Sequence, residues 1–327
     1  MLEEYKSQID KAIAQLHFPE QPADLYDPIR YILKLGGKRI RPLLVLLAAD
    51  LFDKDQTGKA IPAALAVELF HNFTLMHDDI MDEAPMRRGK PTVHKHWNQN
   101  VAILAGDNLL VWAYKQLAEC EPQKLALLLP VFNQMAREVC EGQQWDMNYE
   151  VANMVSREDY IEMIRLKTAV LLGAALKMGA LIGGATVYDA DCLYQFGINI
   201  GIAFQLQDDI LDTYGDSAQF GKQIGGDVLA NKKTILLVDA YHLAEGEVKN
   251  ELEACLAISG ELDEMQSQQK VQRVKAVYAQ LGVFDRVSEL KKQYVDHAFS
   301  WLKKIKSGQD KLENLTILAQ SLLTRSN

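Results

Sequence analysis

Apolar residues recur three and four positions apart through most of this chain, and that spacing constrains its fold more than any other feature. Near the start the pattern runs through Tyr5, Ile9, Ile13 and Leu16. Such spacing collects apolar side chains on one face of an α-helix, and the alternation typical of β-strands is scarce. The sequence therefore predicts an all-α fold, a large helical bundle.

Polar and turn-forming segments divide this pattern into about ten or more helices. The breaks are expected at residues 18–28, 53–62, 83–97, 188–191 and 214–231. Segments 83–97 and 214–231 are longer than usual connectors and combine glycine with lysine or arginine, which is typical of functional loops. No break has the composition of a flexible linker, so residues 1–327 are expected to form a single domain.

Composition and charge exclude several classes of protein. The chain is 48% hydrophobic and 24% charged, as in globular proteins and unlike disordered ones. A net charge of −9 argues against a nucleic-acid partner, because phosphate binding requires a basic face. The apolar segment 169–187 contains Lys177 and is mostly Ala and Gly, so we expect a core helix and no membrane span. The start of the chain resembles no signal or transit peptide, and a cytoplasmic location is expected.

One short acidic pattern occurs twice, at residues 78–82 and 208–212, with the shared core Asp-Asp-Ile-x-Asp. On a helix the first and last aspartates of each copy lie one turn apart on the same face, where their like charges repel. Both copies follow strongly apolar stretches, in which an unpaired carboxylate is costly. A cation is therefore expected beside each copy.

Ligands that are all oxygen select a hard cation. Mg²⁺ fits paired carboxylates better than zinc does, because it keeps waters and shares its coordination with substrate phosphates. The alternative is a solvated acidic helix end, which the repetition makes less favoured. The expected metal ligands are Asp78, Asp82, Asp208 and Asp212.

Three basic clusters accompany these acids. Residues 84–96 contain four lysines and arginines and no acid. Segment 36–42 combines two glycines, which let a ligand approach the backbone closely, with Arg41, which can bind phosphate through two nitrogens. Residues 221–234 form the third cluster. Together with the acids, these clusters favour a ligand with two or more phosphates bound through magnesium.

These segments, in this order, resemble the trans-isoprenyl diphosphate synthases, the family of farnesyl and geranylgeranyl diphosphate synthases. The matching motifs are GGKRIRP at 36–42, MRRGKPTVH at 86–94, LKTA at 166–169, FQLQDDILD at 204–212 and GK…GGD…NKKT at 221–234. The resemblance covers about residues 30–240. It implies a homodimer of all-α subunits, in which the two aspartate motifs face each other across the mouth of a deep central cavity.

The resemblance also implies a role for each matching residue. Asp78 and Asp82 would bind two magnesium ions and Asp208 a third, with Asp79 and Asp212 as supporting acids. The groups implied for the diphosphate of the allylic substrate are Arg87, Lys167, Lys222 and Lys232. Those implied for isopentenyl diphosphate are Lys38, Arg41, His71 and Arg88.

The implied reaction needs no protein nucleophile. The allylic diphosphate ionises as cations take up the charge that develops on its leaving group. The hydroxyl of Thr168, the side-chain carbonyl of Gln205 and the main chain near Lys167 would ease the allylic cation. The double bond of isopentenyl diphosphate then attacks, and the departing diphosphate removes the proton.

Product length is implied by the residues five and four positions before the first motif, Phe73 and Thr74. One aromatic at the more distant position, with no insertion inside the motif, resembles some geranylgeranyl diphosphate synthases. At about 100° per residue, helical geometry places Thr74 and Phe70 on the face of Asp78 and turns Phe73 away from it. We expect a geranylgeranyl product, with farnesyl as the alternative.

Three other interpretations compete with this one. A terpene cyclase would share the aspartates and magnesium but has no need of a basic set for a second diphosphate. A di-iron bundle is suggested by Glu68-x-x-His71, and its second ligand pair would have to be Asp239-x-x-His242. A non-catalytic partner subunit would be expected to have lost acids from one motif, whereas all remain.

The sequence departs from the family pattern at Asn231, which stands where many family members have glycine before the lysine pair. Beyond about residue 243 the chain shows amphipathic helices without a recognisable site, so packing and dimer support are their expected roles.

Overall fold

The computed structural model describes residues 1–215, 225–260, 262–306 and 311–323, and helices account for most of them. The helices are α1 (Leu2–Ala14), α2 (Ala23–Lys34), α3 (Ile40–Phe52), α4 (Ile61–Met81), α5 (Val93–His96), α6 (Gln99–Ala118), α7 (Pro122–Val151), α8 (Arg157–Ile164), α9 (Val170–Ile182), α10 (Val187–Tyr214), α11 (Gly226–Leu229), α12 (Ile235–Leu243), α13 (Gly246–Leu256), α14 (Glu264–Gln280), α15 (Val283–Leu302) and α16 (Leu312–Leu323). The predicted all-α class is confirmed.

The remaining regular elements are short. They are 3₁₀ turns at Lys54–Gln56 and Gly58–Ala60, a π-helical turn at Arg165–Ala169, and the two-residue strands β1 (Met86–Arg87) and β2 (Lys90–Pro91). The strands pair antiparallel, so part of the predicted loop 83–97 is a hairpin.

The break predicted at residues 188–191 is wrong, because α10 already begins at Val187. The chain turns earlier, where Gly184 has φ +86 and ends the preceding helix. Thr186 then starts α10, since its Oγ1 accepts a hydrogen bond from the Asp189 amide at 3.1 Å.

Contacts between Cα atoms divide the chain into two compact units. The first comprises Met1–Ala136, Leu171–Tyr194 and Lys304–Leu315. The second comprises Arg137–Val170, Gln195–Lys303 and Thr316–Asn327.

Helices of the first unit pack closely through glycines. A Cβ atom on Gly179 of α9 would lie 2.1 Å from the carbonyl oxygen of Val45 on α3, and one on Gly106 of α6 would lie 2.3 Å from the His77 ring on α4. Such approaches are possible only without a side chain. Within the predicted segment 169–187, residues Val170–Ile182 therefore form a core helix, and the segment then turns before α10. No helix within the described ranges is long and apolar enough to cross a membrane.

Two close approaches in the second unit position the residues around the π-helical turn. A Cβ atom on Gly142 of α7 would lie 2.2 Å from the amide nitrogen of Lys167. One on Gly201 of α10 would lie 2.6 Å from the Cα of Ala169. The backbone of the turn is thus enclosed by two neighbouring helices.

Candidate active site

The first aspartate motif forms the end of α4, in the first unit. Asp82 caps the helix, and its amide donates to the carbonyl oxygen of Asp78 at 2.9 Å. The predicted spacing of one turn is therefore present. Asp78 is partly exposed and Asp82 exposed, whereas Asp79 between them is buried.

Asp79 is neutralised by Arg87 of strand β1. The guanidinium donates from Nε to both carboxylate oxygens, at 2.9 and 2.8 Å, and from Nη2 to Oδ1 at 2.7 Å. Burial opposes the charge of Arg87, but the hydrogen bonds and charge of Asp79, with the nearby acids, raise its pKa. This ion pair holds the hairpin against the end of α4.

The hairpin turns at Arg88 and Gly89, which have φ angles of +51 and +73. Positive φ at both central residues is typical of the tight turn that matches the twist of two antiparallel strands, and glycine is favoured there. The dipeptide Arg-Gly is the signal for this turn in the sequence, and the hairpin was not predicted from it. Arg88 therefore stands at the tip of the hairpin.

Segment 36–42 lies against this tip. The Arg88 guanidinium donates to the carbonyl oxygen of Gly36, and a Cβ atom on Gly37 would lie 3.0 Å from Arg88 Nη2. Arg41 Nη1 lies 3.0 Å from His71 Nε2 on α4. The first unit thus brings together Arg88, Arg41 and His71, with exposed Lys38 in the same segment.

His71 is neutral in this environment. Burial lowers its pKa well below the usual value, and the positive charges of Arg41, Arg88, Arg87 and Arg39 lower it further. A guanidinium can only donate, so the Nε2 atom facing Arg41 is the acceptor and the proton resides on Nδ1. The remaining Nδ1–H group is a donor of the kind that a diphosphate oxygen accepts.

The second aspartate motif lies in the last turns of α10, in the second unit. Asp208 and Asp212 are both partly exposed. Asp212 also fixes the chain that follows, because its Oδ2 accepts from the amide of Asp227 at 2.9 Å and its carbonyl oxygen from that of Gly225 at 2.7 Å. Lys222 lies outside the described residues.

The middle acid of this motif, Asp209, is buried in a polar network. It accepts a hydrogen bond from the hydroxyl of Tyr160 and a longer one, 3.4 Å, from Gln205 Nε2. Burial, with the charge of Asp227 in the same direction, raises the pKa of Asp209 to about 7. Asp209 thus orients Gln205, and the outer acids are better suited to a metal.

Three predicted residues meet around the π-helical turn of the second unit. Thr168 Oγ1 lies 3.5 Å from Gln205 Oε1, and Lys167 Nζ lies 2.5 Å from Asp146 Oδ2. π-Helical turns are often found at functional sites, because the extra residue redirects side chains. Asp146 had no signal in the sequence, since it belongs to no matching motif.

The conformation and contacts of Asn231 explain why asparagine is tolerated at this position. It has φ +52, a conformation that glycine and asparagine tolerate better than other residues. Its Nδ2 donates to the carbonyl oxygen of Leu256 at 2.9 Å, and its Oδ1 accepts from Lys270 Nζ at 2.8 Å. The next residue, Lys232, is exposed.

The three residues predicted to set product length differ in their surroundings. Phe70 is fully buried, and its ring centroid lies 5.5 Å from that of Phe73 and 5.6 Å from that of Phe132. Phe73 also contacts the ring of His77 at 4.8 Å. Thr74 is partly exposed, with its hydroxyl bonded to the carbonyl oxygen of His71 at 2.8 Å.

The donor set suits magnesium. The outer acids of each motif supply only oxygen atoms from a helix end. Mg²⁺ usually takes one or two carboxylates and completes its shell with water and substrate phosphate. Among the described residues no three metal-binding side chains converge, and such a site does not require that they do.

The di-iron alternative is wrong. Glu68 lies 2.5 Å from Arg39 Nη1 in a buried ion pair, and Asp239 lies 2.5 Å from Arg157 Nη2. A carboxylate held in this way by a guanidinium is already charge-compensated. Neither Glu68 nor Asp239 is therefore a suitable iron ligand.

Comparison with known proteins places this chain among prenyl synthases. The polyprenyl synthetase family model matches residues 22–280. A geranylgeranyl diphosphate synthase of Methanosarcina mazei is 43% identical over 237 residues, which are 72% of this chain and 73% of that protein.

Solved structures agree in fold. A crystal structure of a geranylgeranyl pyrophosphate synthase has a TM-score of 0.94 at 40% identity, with 100% of this chain and 99% of that chain covered. The geranylgeranyl pyrophosphate synthetase of Pyrococcus horikoshii has a TM-score of 0.91 at 35% identity, with 99% and 97% covered. The isoprenoid synthase fold is thus present, and the chain belongs to the polyprenyl synthetase family.

Proposed function

We propose that this protein is a magnesium-dependent trans-prenyltransferase that condenses isopentenyl diphosphate head-to-tail with an allylic diphosphate. The observation that carries the proposal is the pair of aspartates at the end of α4 and again at the end of α10, each in a unit that also holds basic groups. Two acidic sites and separate basic sets fit a reaction in which two diphosphates bind. Family membership and the similarity to geranylgeranyl diphosphate synthases support it.

Asp78 and Asp82 are the proposed ligands of two magnesium ions and Asp208 of a third, with Asp212 as a further ligand or supporting acid. Asp79 differs from these, because Arg87 already compensates its charge. Bound magnesium supplies positive charge that offsets the charge developing on the leaving diphosphate. The proposed contacts of the allylic diphosphate are Arg87, Lys167, Lys222 and Lys232.

Side chains of the protein are proposed to stabilise the cation that forms in the reaction. The allylic C1–O bond breaks, and its electron pair leaves with the diphosphate. Thr168 Oγ and Gln205 Oε1 present partial negative charge to the resulting cation. The double bond of isopentenyl diphosphate attacks C1, and the proton lost from its C2 passes to the released diphosphate.

Isopentenyl diphosphate is proposed to bind through Lys38, Arg41, His71 and Arg88. Arg41 and Arg88 supply charged donors that match phosphate oxygens. Neutral His71 donates without adding charge, and its contact with Arg41 orients both groups.

The main product is proposed to be geranylgeranyl diphosphate. The proposal is supported by the single aromatic at Phe73 with the small residue Thr74, and by the similarity of this chain to geranylgeranyl diphosphate synthases. Farnesyl diphosphate is the alternative product.

We further propose that residues 1–327 act as one synthase domain in a cytoplasmic homodimer. The family match includes residues of both compact units. Helix α6 exposes Leu104 and Val111, at 59% and 64% of their surface, and a partner subunit would bury such residues.

The test is a condensation assay on the purified protein. Isopentenyl diphosphate, Mg²⁺ and separately dimethylallyl, geranyl or farnesyl diphosphate are supplied, and products are identified by mass. We expect geranylgeranyl product from all primers and none in EDTA. Absence of condensation with every primer, in protein shown to be folded, would refute the proposal and favour a cyclase or a partner subunit.

A further inference from the structure

Arg39 behaves differently from the two other basic residues of segment 36–42. Only 6% of its surface is exposed, whereas Lys38 is exposed and Arg41 partly exposed. Nothing in the family resemblance gives Arg39 a role. Its side chain is turned into the first unit, where its contacts are with Asp10, Leu33 and Glu68.

The guanidinium of Arg39 joins this segment to three helices. Nη1 donates to Glu68 Oε1 of α4 at 2.5 Å, Nη2 to the Leu33 carbonyl oxygen of α2 at 3.0 Å, and Nε to Asp10 Oδ1 of α1 at 3.1 Å. Asn72 Nδ2 donates to the same Glu68 oxygen at 3.2 Å. The side chains of Arg39 and Glu68 are each 4% exposed, so solvent screens this ion pair little.

The backbone at Arg39 has an unusual conformation. Its φ is +53, and it is the residue that immediately precedes α3. Residues other than glycine rarely adopt this left-handed region, because Cβ crowds the backbone. The buried hydrogen bonds hold the residue there, and this conformation sets the direction in which the chain enters and leaves Arg39. Lys38 and Arg41 lie on either side.

A second contact links the same segment to the same helix. Glu68 precedes His71 by about one turn of α4, and His71 Nε2 lies 3.0 Å from Arg41 Nη1. Arg39 thus anchors the segment in the interior, and Arg41 meets α4 at the proposed substrate site. Displacement of the interior contact would move both Lys38 and Arg41 relative to His71.

We propose that Arg39 is a positioning residue for isopentenyl diphosphate. Paired with Glu68, it fixes the backbone that presents Lys38 and Arg41, and it does not itself touch the substrate. The inference rests on the proposed function, since it takes the isopentenyl site to be formed by Lys38, Arg41, His71 and Arg88.

The test is the double variant Arg39→Met/Glu68→Met. Replacing a buried ion pair by apolar residues of similar size often preserves or improves stability, whereas removing one partner leaves an uncompensated charge. The double variant is therefore expected to fold, which circular dichroism and thermal unfolding check. We expect the KM for isopentenyl diphosphate to rise about tenfold, with a smaller change in kcat and none in the KM for the allylic substrate.

A conservative variant and a control variant test whether this result is specific to the Arg39–Glu68 pair. Arg39→Lys keeps the charge but loses the planar donor set, and it is expected to give an intermediate KM for isopentenyl diphosphate. Arg157→Met/Asp239→Met removes an ion pair of the second unit, whose Nε–Oδ1 and Nη2–Oδ2 distances are 2.8 and 2.5 Å. This control, in which Asp239 is buried and Arg157 is partly exposed, is expected to leave both KM values unchanged.

A folded Arg39→Met/Glu68→Met variant with an unchanged KM for isopentenyl diphosphate would overturn the inference, as would an equal rise in both KM values. Arg41→Lys separates this failure from a failure of the proposed site. If Arg41→Lys raises the KM for isopentenyl diphosphate and the double variant does not, only the role of Arg39 is wrong. If Arg41→Lys leaves that KM unchanged, the assignment of the isopentenyl site is itself wrong.

Discussion

Arg87 binds the carboxylate of Asp79 through one edge of its guanidinium, with Nε and Nη2 each within 2.9 Å of an oxygen. The middle acid of the first motif therefore serves to hold a basic residue of the hairpin beside the outer acids. This end of α4 therefore presents both acidic and basic side chains to the proposed metal and diphosphate, and the buried Asp79 keeps an opposite charge beside it.

Arg87→Lys tests this relationship. Lysine keeps the positive charge but cannot form the planar pair of hydrogen bonds with Asp79, so the hairpin is no longer fixed to the end of α4. We expect kcat/KM for the allylic substrate to fall about 10²-fold, measured by steady-state kinetics. Arg137→Lys, in an exposed pair with Glu141, is the control, and normal kinetics of Arg87→Lys would contradict the role assigned to the pair.

Thr74→Phe is expected to shorten the product to farnesyl. Thr74 is partly exposed on the face of α4 that carries Asp78, and a phenylalanine there would occupy space in front of the growing chain. Mass analysis of the dephosphorylated prenyl alcohols measures the outcome. Phe73→Leu is the comparison, since that ring is buried against Phe70 and His77, and a product shift in Phe73→Leu alone would assign chain length to Phe73 instead.

The neutral state of His71 predicts how stability depends on pH. The fold lowers the pKa of His71 well below 6.5, first through burial and then through neighbouring arginines. Below pH 6.5 the unfolded chain binds a proton that the folded chain excludes, so stability falls as the pH falls, by up to about 1.4 kcal/mol per pH unit.

Denaturant unfolding of wild type and His71→Gln between pH 5 and 8, without substrates, measures this contribution. The stability of the wild type relative to the variant is expected to decline below pH 6.5. His17→Gln, at an exposed position, is the control for loss of a histidine. A constant difference between wild type and His71→Gln over this range would show that His71 is protonated equally in both states.

Lys270 is expected to stabilise the second unit through buried hydrogen bonds. It is 1% exposed, and its Nζ donates to the carbonyl oxygens of Leu229 and Ile258 at 3.1 and 2.9 Å and to Asn231 Oδ1 at 2.8 Å. Lys270→Met would leave these acceptors without their donor and is expected to cost about 2 kcal/mol or more.

Urea unfolding checks this expectation, with Lys292→Met at an exposed site of α15 as the control. Because Lys270 also holds the residue before Lys232, the KM for the allylic substrate is expected to rise in the Lys270→Met variant. Equal stability of the two methionine variants would show that the buried bonds of Lys270 are compensated elsewhere.

The parts of this fold that depend on periodicity were predictable. The spacing of apolar residues predicted α4 and α10, and the four-residue spacing placed each outer pair of aspartates on one face. The different roles of Arg39 and Arg41 could not be predicted in this way. Both are arginines of one basic segment, and the inward direction of Arg39 depends on its left-handed backbone.

Contacts between distant segments likewise could not be predicted from the sequence. Lys270 and Asp146 belong to no motif, and their roles arise from burial beside Asn231 and Lys167. The conformation of Asn231 could have been suspected, because asparagine tolerates positive φ better than most residues. The hairpin at 86–91 was hidden because its strands are only two residues long.

The central claim, that the two aspartate motifs carry the prenyl transfer, is tested most directly by Asp78→Asn and Asp208→Asn. The measurement is the initial rate at which labelled isopentenyl diphosphate enters extractable prenyl product at saturating Mg²⁺. Asp285→Asn, at an exposed site of α15, is the control. We expect each motif variant, still folded, to lose about 10²-fold to 10³-fold in rate, while the control retains wild-type activity. Near-normal rates in both motif variants would contradict the central claim.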